Sequence, residues 1–211
     1  MSAIRFSAVV LAAGTSTRMG GRHKLLLPLG DEPVIRRTVR AVLGAGPEEV
    51  VVVTGCNEQA VADALTGLDA RLQFNPRYEE GQMTSVAAGV AALANCHDAV
   101  MVCLGDMALL ESADYAELVE AYAARPRGSI LVPQQGGMRG NPVVFAERLA
   151  GEAIAGNRNF GCRKLIVDHP EEVYPHDPGH DRCFVDLDTP ADYARMLARL
   201  GLAAKEKALA D

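Results

Sequence analysis

Three short runs made almost entirely of apolar residues stand out along the chain, at residues 6–12, 50–54 and 99–104. A run that is apolar on both faces predicts a strand that is buried on both sides. Such strands are typical of a parallel sheet covered by helices. Weaker patterns predict further strands at residues 71–74, 129–132, 142–145 and 183–185.

Between the strands, apolar residues recur at the spacing of an amphipathic helix. The segments with this pattern are residues 33–43, 57–65, 84–93, 112–124 and 189–200. The last of them starts with Thr189, Pro190 and Asp192, which supply a capping hydroxyl, a proline at the first position and an acid near the positive helix end. Residues 201–211 are expected to form the end of this helix or a tail.

Strands and helices alternate along the chain, which predicts an α/β fold with a doubly wound, mainly parallel sheet and helices on both faces. With 211 residues the chain is long enough for one well-buried domain and short for two. It contains no internal repeat, linker or low-complexity stretch. We therefore expect a single domain over residues 1–211.

The composition narrows the classes of partner. The net charge of −6 argues against a broad nucleic-acid surface. No apolar run approaches the roughly 18 residues that predict a membrane span. The five cysteines form no C-x-x-C pair, as expected of reduced thiols in the cytoplasm. The apolar run after Arg5 has some likeness to a short signal peptide, but it leads directly into a glycine-rich polar loop.

Candidate chemistry lies where strands end, because ligands of open parallel sheets bind beyond the carboxyl ends of the strands. The loop at residues 14–24, after the first strand, combines Gly14, Gly20 and Gly21 with hydroxyl side chains and with the cations Arg18, Arg22 and Lys24. This combination describes a phosphate cradle, although it is neither a G-x-G-x-x-G nor a Walker A motif. The alternative is a solvated basic loop.

Acidic residues follow two other predicted strands. Asp106 could hold Mg²⁺ facing a triphosphate, or it could be a turn or N-cap aspartate. Asp186 and Asp188 are two residues apart, so on a strand they would point to the same side. Their alternative is the N-cap of the last helix. Arg139 and Gly140 open another predicted strand, where they could meet a phosphate or form a plain hairpin turn.

These features together resemble one superfamily, the nucleotidyltransferases typified by molybdenum-cofactor enzymes and sugar-nucleotide pyrophosphorylases. The segment VLAAGTSTRMGGRHKLLLPLG is similar to their L-A-A-G-x-S-x-R-M-G…K…P-L-G signature, and NPRYEEGQMTSVAAGV, LGDM, RGNPVVF and DLDTPADY follow in the family's order. Within the superfamily, the chain most resembles the molybdopterin cytidylyltransferases. Relatives that transfer guanylyl groups tend to have a second glycine where this chain has Ala13.

The resemblance implies a GT-A-like, Rossmann-type nucleotidyltransferase fold and assigns roles by position. The residues implied to bind the nucleotide are Leu11, Ala12, Ala13, Gly14, Arg18, Lys24, Thr54, Gly81, Ser85 and Asp106. Among them Arg18, Lys24 and Asp106 are the implied catalytic groups. Asp106 and Asp188 are the implied Mg²⁺ ligands, and the implied acceptor residues are Arg139, Gly140, Asn141 and Arg163.

The reaction implied is transfer of CMP from CTP to the terminal phosphate of a molybdopterin-type acceptor, in the cytoplasm and with no nucleic acid or membrane involved. A molybdoenzyme or chaperone is a possible transient partner. Residues 156–163 lack the Gly-Asp-x-Gly-Ala-Arg pattern of the cytidylyltransferases, which leaves the acceptor open. The alternatives are a GTP-dependent or other small-phosphate transferase of the same superfamily, and a non-catalytic accessory protein that binds a nucleotide or cofactor.

Overall fold

The computed structural model describes residues 4–94, 98–155 and 161–202. Its strands are β1 (Phe6–Ala12), β2 (Pro28–Leu29), β3 (Glu32–Pro33), β4 (Glu49–Thr54), β5 (Arg71–Phe74), β6 (Ala99–Leu104), β7 (Ile130–Gln135), β8 (Met138–Arg139), β9 (Val143–Ala146) and β10 (Val173–His176). Its helices are α1 (Val34–Leu43), α2 (Glu58–Ala64), α3 (Gln82–Ala92), α4 (Ser112–Ala124), α5 (Ala150–Ala155), α6 (Gly161–Asp168) and α7 (Pro190–Arg199).

One mixed sheet forms the centre of the fold, with strands in the order β10-β7-β9-β6-β1-β4-β5 and β8 paired to β7. The pairs β1–β4, β1–β6, β4–β5 and β7–β10 are parallel, whereas β9 runs antiparallel to both β6 and β7. The chain proceeds from β1 to β4 and β5 on one side, and then returns to place β6 on the other side of β1. The carboxyl ends of β1 and β6 therefore flank a topological switch point, where open α/β sheets bind ligands.

Helices cover both faces of the sheet, as the apolar runs predict. Alternate residues of β1 enter different cores: Ala8 and Val10 pack with residues of α1 and α4, whereas Val9 and Leu11 pack with residues of α3, α5 and α6. This alternation follows from the two-residue period of a strand. The predicted doubly wound, mainly parallel sheet is confirmed.

Most predicted elements are present, but the predicted strand at residues 183–185 is wrong. Arg182–Phe184 is a turn of 3-10 helix, in which the Phe184 N–H donates to the Asp181 carbonyl at 2.9 Å. The apolar character of the sequence around Cys183 reflects its burial in the core, at 1% exposure, and not membership of the sheet. Residues 203–211 of the predicted tail lie outside the described residues.

Of the helices in the described ranges, none is both long enough and apolar enough to cross a membrane.

Candidate active site

The loop after β1 folds over the carboxyl end of the sheet and is held there by its own contacts. Gly20 and Gly21 have positive φ angles of 64° and 88°, and so does Ser16, at 54°. The Ser16 hydroxyl accepts a hydrogen bond from the Lys24 N–H at 3.1 Å, which closes the loop on itself. Met19 anchors it in the core with 4% exposure. The loop therefore presents Arg18 and Lys24 from a fixed backbone.

Two carboxylates from distant parts of the chain meet at the Lys24 ammonium. Lys24 Nζ donates to Asp106 Oδ2 and, at 3.0 Å, to Asp188 Oδ1. Arg18 Nη2 lies 2.7 Å from Asp188 Oδ2, the other oxygen of the same carboxylate. We refer to Arg18, Lys24, Asp106 and Asp188 as the ion-pair network. It joins residues from three loops at the switch point between β1 and β6.

The position of Asp106 follows from the end of β6. The N–H of Gly105 donates to the Leu11 carbonyl at 2.9 Å, which extends the β1–β6 pairing up to the residue before Asp106. The Asp106 side chain is then 8% exposed and the Lys24 side chain 19% exposed. Asp188 comes from the segment before α7, where Thr189 is the N-cap. Asp188 itself is therefore not the cap of that helix.

Burial and neighbouring charges shift the pKa values of Lys24 and Asp106 in opposite directions. Burial lowers the pKa of Lys24, but Asp106 and Asp188 outweigh burial, so the Lys24 pKa is raised. Burial raises the pKa of Asp106, and the neighbouring Lys24 ammonium opposes that rise. Lys24 is accordingly a cation over the physiological pH range.

The two carboxylates also suit a divalent cation. Asp106 and Asp188 already direct oxygens at a single cation, the Lys24 ammonium. Mg²⁺ prefers oxygen ligands and is commonly held by one or two carboxylates together with phosphate oxygens of a substrate. Across the described residues, no three or more His, Cys, Asp or Glu side chains form a group able to hold a metal ion. A metal at this site would therefore take its remaining oxygen ligands from water or from substrate phosphates.

The ion-pair network lies in a cavity of about 310 Å³, the carboxylate cavity. Most of the residues implied to bind a nucleotide line it, namely Leu11, Ala13, Gly14, Arg18, Lys24, Ser85 and Asp106, and so does the implied metal ligand Asp188. The remaining lining residues are Leu25, Tyr78, Gln82, Leu104 and Asp186. Asp186 and Asp188 both line the cavity, but the strand from which a shared orientation was predicted is absent from residues 183–185, so their two-residue spacing is not the reason.

Three residues implied to bind the nucleotide do not line this cavity. Ala12 and Thr54 are fully buried, each at 0% exposure. Gly81 is exposed and immediately precedes α3, with a φ of 120°. Its neighbour Gln82, rather than Gly81 itself, lines the cavity.

Tyr78 and Gln82 reach the cavity because the loop between β5 and α3 is fixed by Asn75. The Asn75 side chain, in a residue only 2% exposed, donates to Thr84 Oγ1 at 2.9 Å and to Ser85 Oγ at 3.0 Å. It also accepts a hydrogen bond from the Arg77 N–H at 3.0 Å. These hydrogen bonds are visible only in the tertiary structure. In the sequence, the polar character of Asn75 is the only local indication of them.

A second cavity of about 470 Å³, the arginine cavity, adjoins the first. All four residues implied to bind the acceptor line it, namely Arg139, Gly140, Asn141 and Arg163. Its other walls are mainly apolar and include Val86, Val102, Val132 and Ile166. Residues 156–160 of the predicted acceptor segment lie outside the described residues.

Cys162 also lines the arginine cavity, where burial raises the pKa of its thiol to about 12. It is therefore a neutral thiol at physiological pH. Leu11, Gln82 and Leu104 line both cavities, which makes Gln82 the polar member of the shared wall.

A family model, a curated relative and a solved structure all place the chain among nucleotidyltransferases. Residues 8–173 match the family model of the MobA-like NTP transferase domain. The chain is 26% identical to the molybdenum cofactor cytidylyltransferase of Escherichia coli over 92% of this chain and 95% of that protein. It also superposes on a nucleotidyl transferase from Methanothermobacter thermautotroptrophicus with a TM-score of 0.80 and 27% identity, covering 92% of this chain and 97% of the other.

A shorter match has higher identity. The bifunctional protein GlmU of Agrobacterium fabrum is 38% identical over 120 residues, which are 56% of this chain and 26% of that protein. The matched part thus spans about a quarter of the longer relative.

Proposed function

Because the chain belongs to the family of MobA-like NTP transferase domains, we propose that this nucleotidyltransferase takes CMP from CTP and transfers it to the terminal phosphate of a molybdopterin-type acceptor. Pyrophosphate is the second product. The observation that carries the proposal is the pair of adjoining cavities, one with cations and carboxylates and the other with arginines over apolar walls. The near full-length likeness to the Escherichia coli cytidylyltransferase supports the choice of acceptor.

In this proposal the nucleotide occupies the carboxylate cavity. Arg18 and Lys24 bind the triphosphate, because they are the cations that line that cavity. Asp106 and Asp188 hold a divalent ion, which we take to be Mg²⁺. Such an ion would reduce the repulsion between the two polyanionic substrates when it is bound.

The acceptor occupies the arginine cavity, where Arg139 and Arg163 offer positive charge to its anionic groups. A phosphate oxygen of the acceptor forms a bond to the α-phosphorus, while the bond from that phosphorus to the bridging oxygen of pyrophosphate breaks. The leaving pyrophosphate takes the electron pair, and Arg18 and Lys24 stabilise the charge that develops on it. A phosphate monoester is ionised near neutral pH, so the step needs no strong general base.

The preference for CTP rests on the wall around Ala13. Ala13 is 5% exposed and lines the carboxylate cavity beside Tyr78. A methyl group at Gly55 would come within 2.7 Å of Tyr78 and 2.8 Å of the Ala13 Cβ, so these residues are closely packed. A closely packed wall leaves little space for a purine and favours a pyrimidine base. We place the reaction in the cytoplasm, in keeping with the free thiols of Cys56, Cys103, Cys162 and Cys183.

The test is release of pyrophosphate with Mg²⁺, molybdenum cofactor, and CTP or GTP supplied in turn. We expect release with CTP and little with GTP, and none in the absence of acceptor. Release with GTP alone would retain the chemistry and overturn the base assignment. If neither nucleotide gives release of pyrophosphate, the assignment of a molybdopterin-type acceptor is contradicted. In that case sugar and alcohol phosphates, tested with the same two nucleotides, would separate another transferase from an accessory protein.

A further inference from the structure

The Lys24 ammonium lies between the carboxylates of Asp106 and Asp188, the two implied metal ligands. It donates to one oxygen of each carboxylate, and Arg18 is paired with the remaining oxygen of Asp188. Each carboxylate of the implied metal site therefore has a cation of the protein itself as its partner.

The ion pair between Lys24 and Asp106 is shielded from water, so the Lys24 ammonium competes strongly with a free metal ion for Asp106. The side chains of Asp106 and Lys24 are only 8% and 19% exposed. Removing the partner of a buried charge is costly, because the remaining charge is left unpaired in a low dielectric. A metal ion that displaced Lys24 without offering it another anion would leave a buried, unpaired ammonium.

The protein also supplies few ligands to a metal ion at this site. The part of the chain that the structure describes has no group of three or more metal-binding side chains, so two carboxylates are the anchor at this site. Mg²⁺ gives up its water reluctantly and is usually bound through few carboxylates plus substrate phosphates. A triphosphate would supply both missing elements, namely oxygens for the metal and a new anionic partner for Lys24 and Arg18.

We propose that Lys24 is the interim counter-ion of the metal carboxylates, and that the enzyme consequently takes its divalent ion only together with the nucleotide, as a metal–nucleotide complex. This inference rests on the proposed function, in that it assumes a triphosphate in the carboxylate cavity. When the complex enters, Lys24 and Arg18 exchange carboxylate oxygens for phosphate oxygens, and Asp106 and Asp188 become available to the metal. Free metal and free nucleotide each bind more weakly than the pair.

The first test measures Mn²⁺ binding to the nucleotide-free protein at pH 8, from the electron paramagnetic resonance signal of the unbound ion. We expect weak binding to the wild type and binding that is tighter by about tenfold or more for Lys24→Met, within the range typical of coupled sites. Lys24→Arg keeps the positive charge and should remain as weak as the wild type. Lys164→Met is the matched control, because Lys164 pairs with Asp168 instead.

Two results of this first test would overturn the proposal. One is equal Mn²⁺ affinity in wild type and in a Lys24→Met variant whose circular dichroism shows it to be folded. The other is tighter binding that persists in Lys24→Met/Asp106→Asn, because the gained site would then lie elsewhere.

The second test adds a CTP analogue with a methylene group in place of the α–β bridging oxygen. In the wild type, the analogue should raise Mn²⁺ affinity by the same factor as Mn²⁺ raises affinity for the analogue, as linkage requires. Binding of the analogue without any change in Mn²⁺ affinity would overturn the inference and leave the proposed function standing. Absence of analogue binding under all conditions would contradict the proposed function, whereas the Lys24→Met comparison would still decide the role of Lys24.

Discussion

Gly140 lies against the backbone carbonyl of Cys183, so closely that a methyl group at residue 140 would approach the Cys183 oxygen to 2.4 Å. The N–H of Asn141 donates to that same oxygen at 2.9 Å. Cys183 is three residues before Asp186, at the start of the segment that leads to Asp188. This backbone contact thus couples the wall of the arginine cavity to the segment that supplies carboxylates to the other cavity.

Replacing Gly140 by alanine should separate these two segments. The added methyl group meets a backbone oxygen that has little freedom to move, and overpacking of this kind costs about 1–3 kcal/mol. We expect Gly140→Ala to lower the melting temperature and to reduce the rate of pyrophosphate release, since Arg139, Asn141 and Asp188 all shift.

Thermal unfolding and steady-state kinetics check this prediction, with Gly151→Ala on α5 as the control. A Cβ at residue 151 meets no atom within 4 Å, so that variant should keep both stability and activity. Wild-type melting temperature and activity in Gly140→Ala would show that the contact can relax without consequence.

The extent to which the sequence predicts this fold depends on how burial is distributed in each element. β1 and β6 were predictable to the residue, at Phe6–Ala12 and Ala99–Leu104, because both faces of these strands are buried and all positions except Ser7 are apolar. The two-residue strands β2 and β3, and the six-residue helix α5, carry too few residues for a period to be visible. Their formation depends on the surfaces against which they pack.

The residues of the candidate site also divide into those that the sequence predicts and those that it does not. Residues that directly follow strands, such as Asp106, were predictable because the carboxyl ends of parallel strands share one edge. Thr54 also ends a strand, but it shares the face of Val50 and Val52, which belong to the core with α1 and α4. The cavities lie on the opposite face, with Leu11 and Ala13. Tyr78 and Gln82 depend on the loop fixed by Asn75, which hydrophobic periodicity does not reveal, although both lie in the segment NPRYEEGQMTSVAAGV that resembles the family.

Asp106→Ala should lower kcat by about 10²-fold or more, the usual effect of removing a major electrostatic group from an active site. Asp106 is the more buried carboxylate of the ion-pair network, so its loss leaves Lys24 with Asp188 alone. Steady-state release of pyrophosphate measures the effect. Asp186→Asn is the comparison, because Asp186 lines the same cavity but is exposed and lies outside the network; its loss should be clearly smaller. Near-normal turnover by a folded Asp106→Ala protein would remove Asp106 from the mechanism.

Asp114 connects α4 to the segment that leads to Asp186 and Asp188. Its carboxylate accepts the Glu111 N–H at 2.9 Å within a capping box and is paired with the Arg182 guanidinium, with Arg182 Nε at 2.8 Å. Asp114→Asn should lower the free energy of unfolding by about 1–3 kcal/mol at pH 7, as for lost hydrogen bonds to a charged group. Urea unfolding measures this, and Asp63→Asn on the exposed side of α2 is the control.

The effect of Asp114→Asn should also depend on pH. Burial alone would raise the pKa of Asp114, but Arg182 and the Glu111 N–H outweigh it, so the pKa is lowered in the folded protein. A carboxyl with a lowered pKa stabilises the fold above its unfolded pKa of about 3.9, and this stabilisation is lost as pH falls through the folded value. The stability difference between wild type and variant should therefore shrink at acidic pH. If the difference in unfolding free energy stays constant down to pH values well below about 3.9, the effect of Asp114→Asn is due to packing rather than to charge.

Gln82 occupies the boundary across which the two proposed substrates must meet. It is the first residue of α3, it is exposed, and it shares the lining of both cavities with the apolar residues Leu11 and Leu104. Its amide can donate to phosphate oxygens on either side of the boundary, and it does so without adding charge.

Gln82→Leu removes that donor at nearly constant volume. Since hydrogen bonds to charged groups are worth about 1.5–3 kcal/mol, we expect kcat to fall by about tenfold or more, with a much smaller change in the KM for nucleotide. Gln82→Glu should be worse, because it adds a negative charge between two polyanions. The same exchange at Gln59, on the exposed surface of α2, serves as the control and should leave kcat unchanged. If Gln82→Leu instead raises the nucleotide KM and spares kcat, Gln82 contributes to nucleotide binding and not to the meeting of the two phosphates.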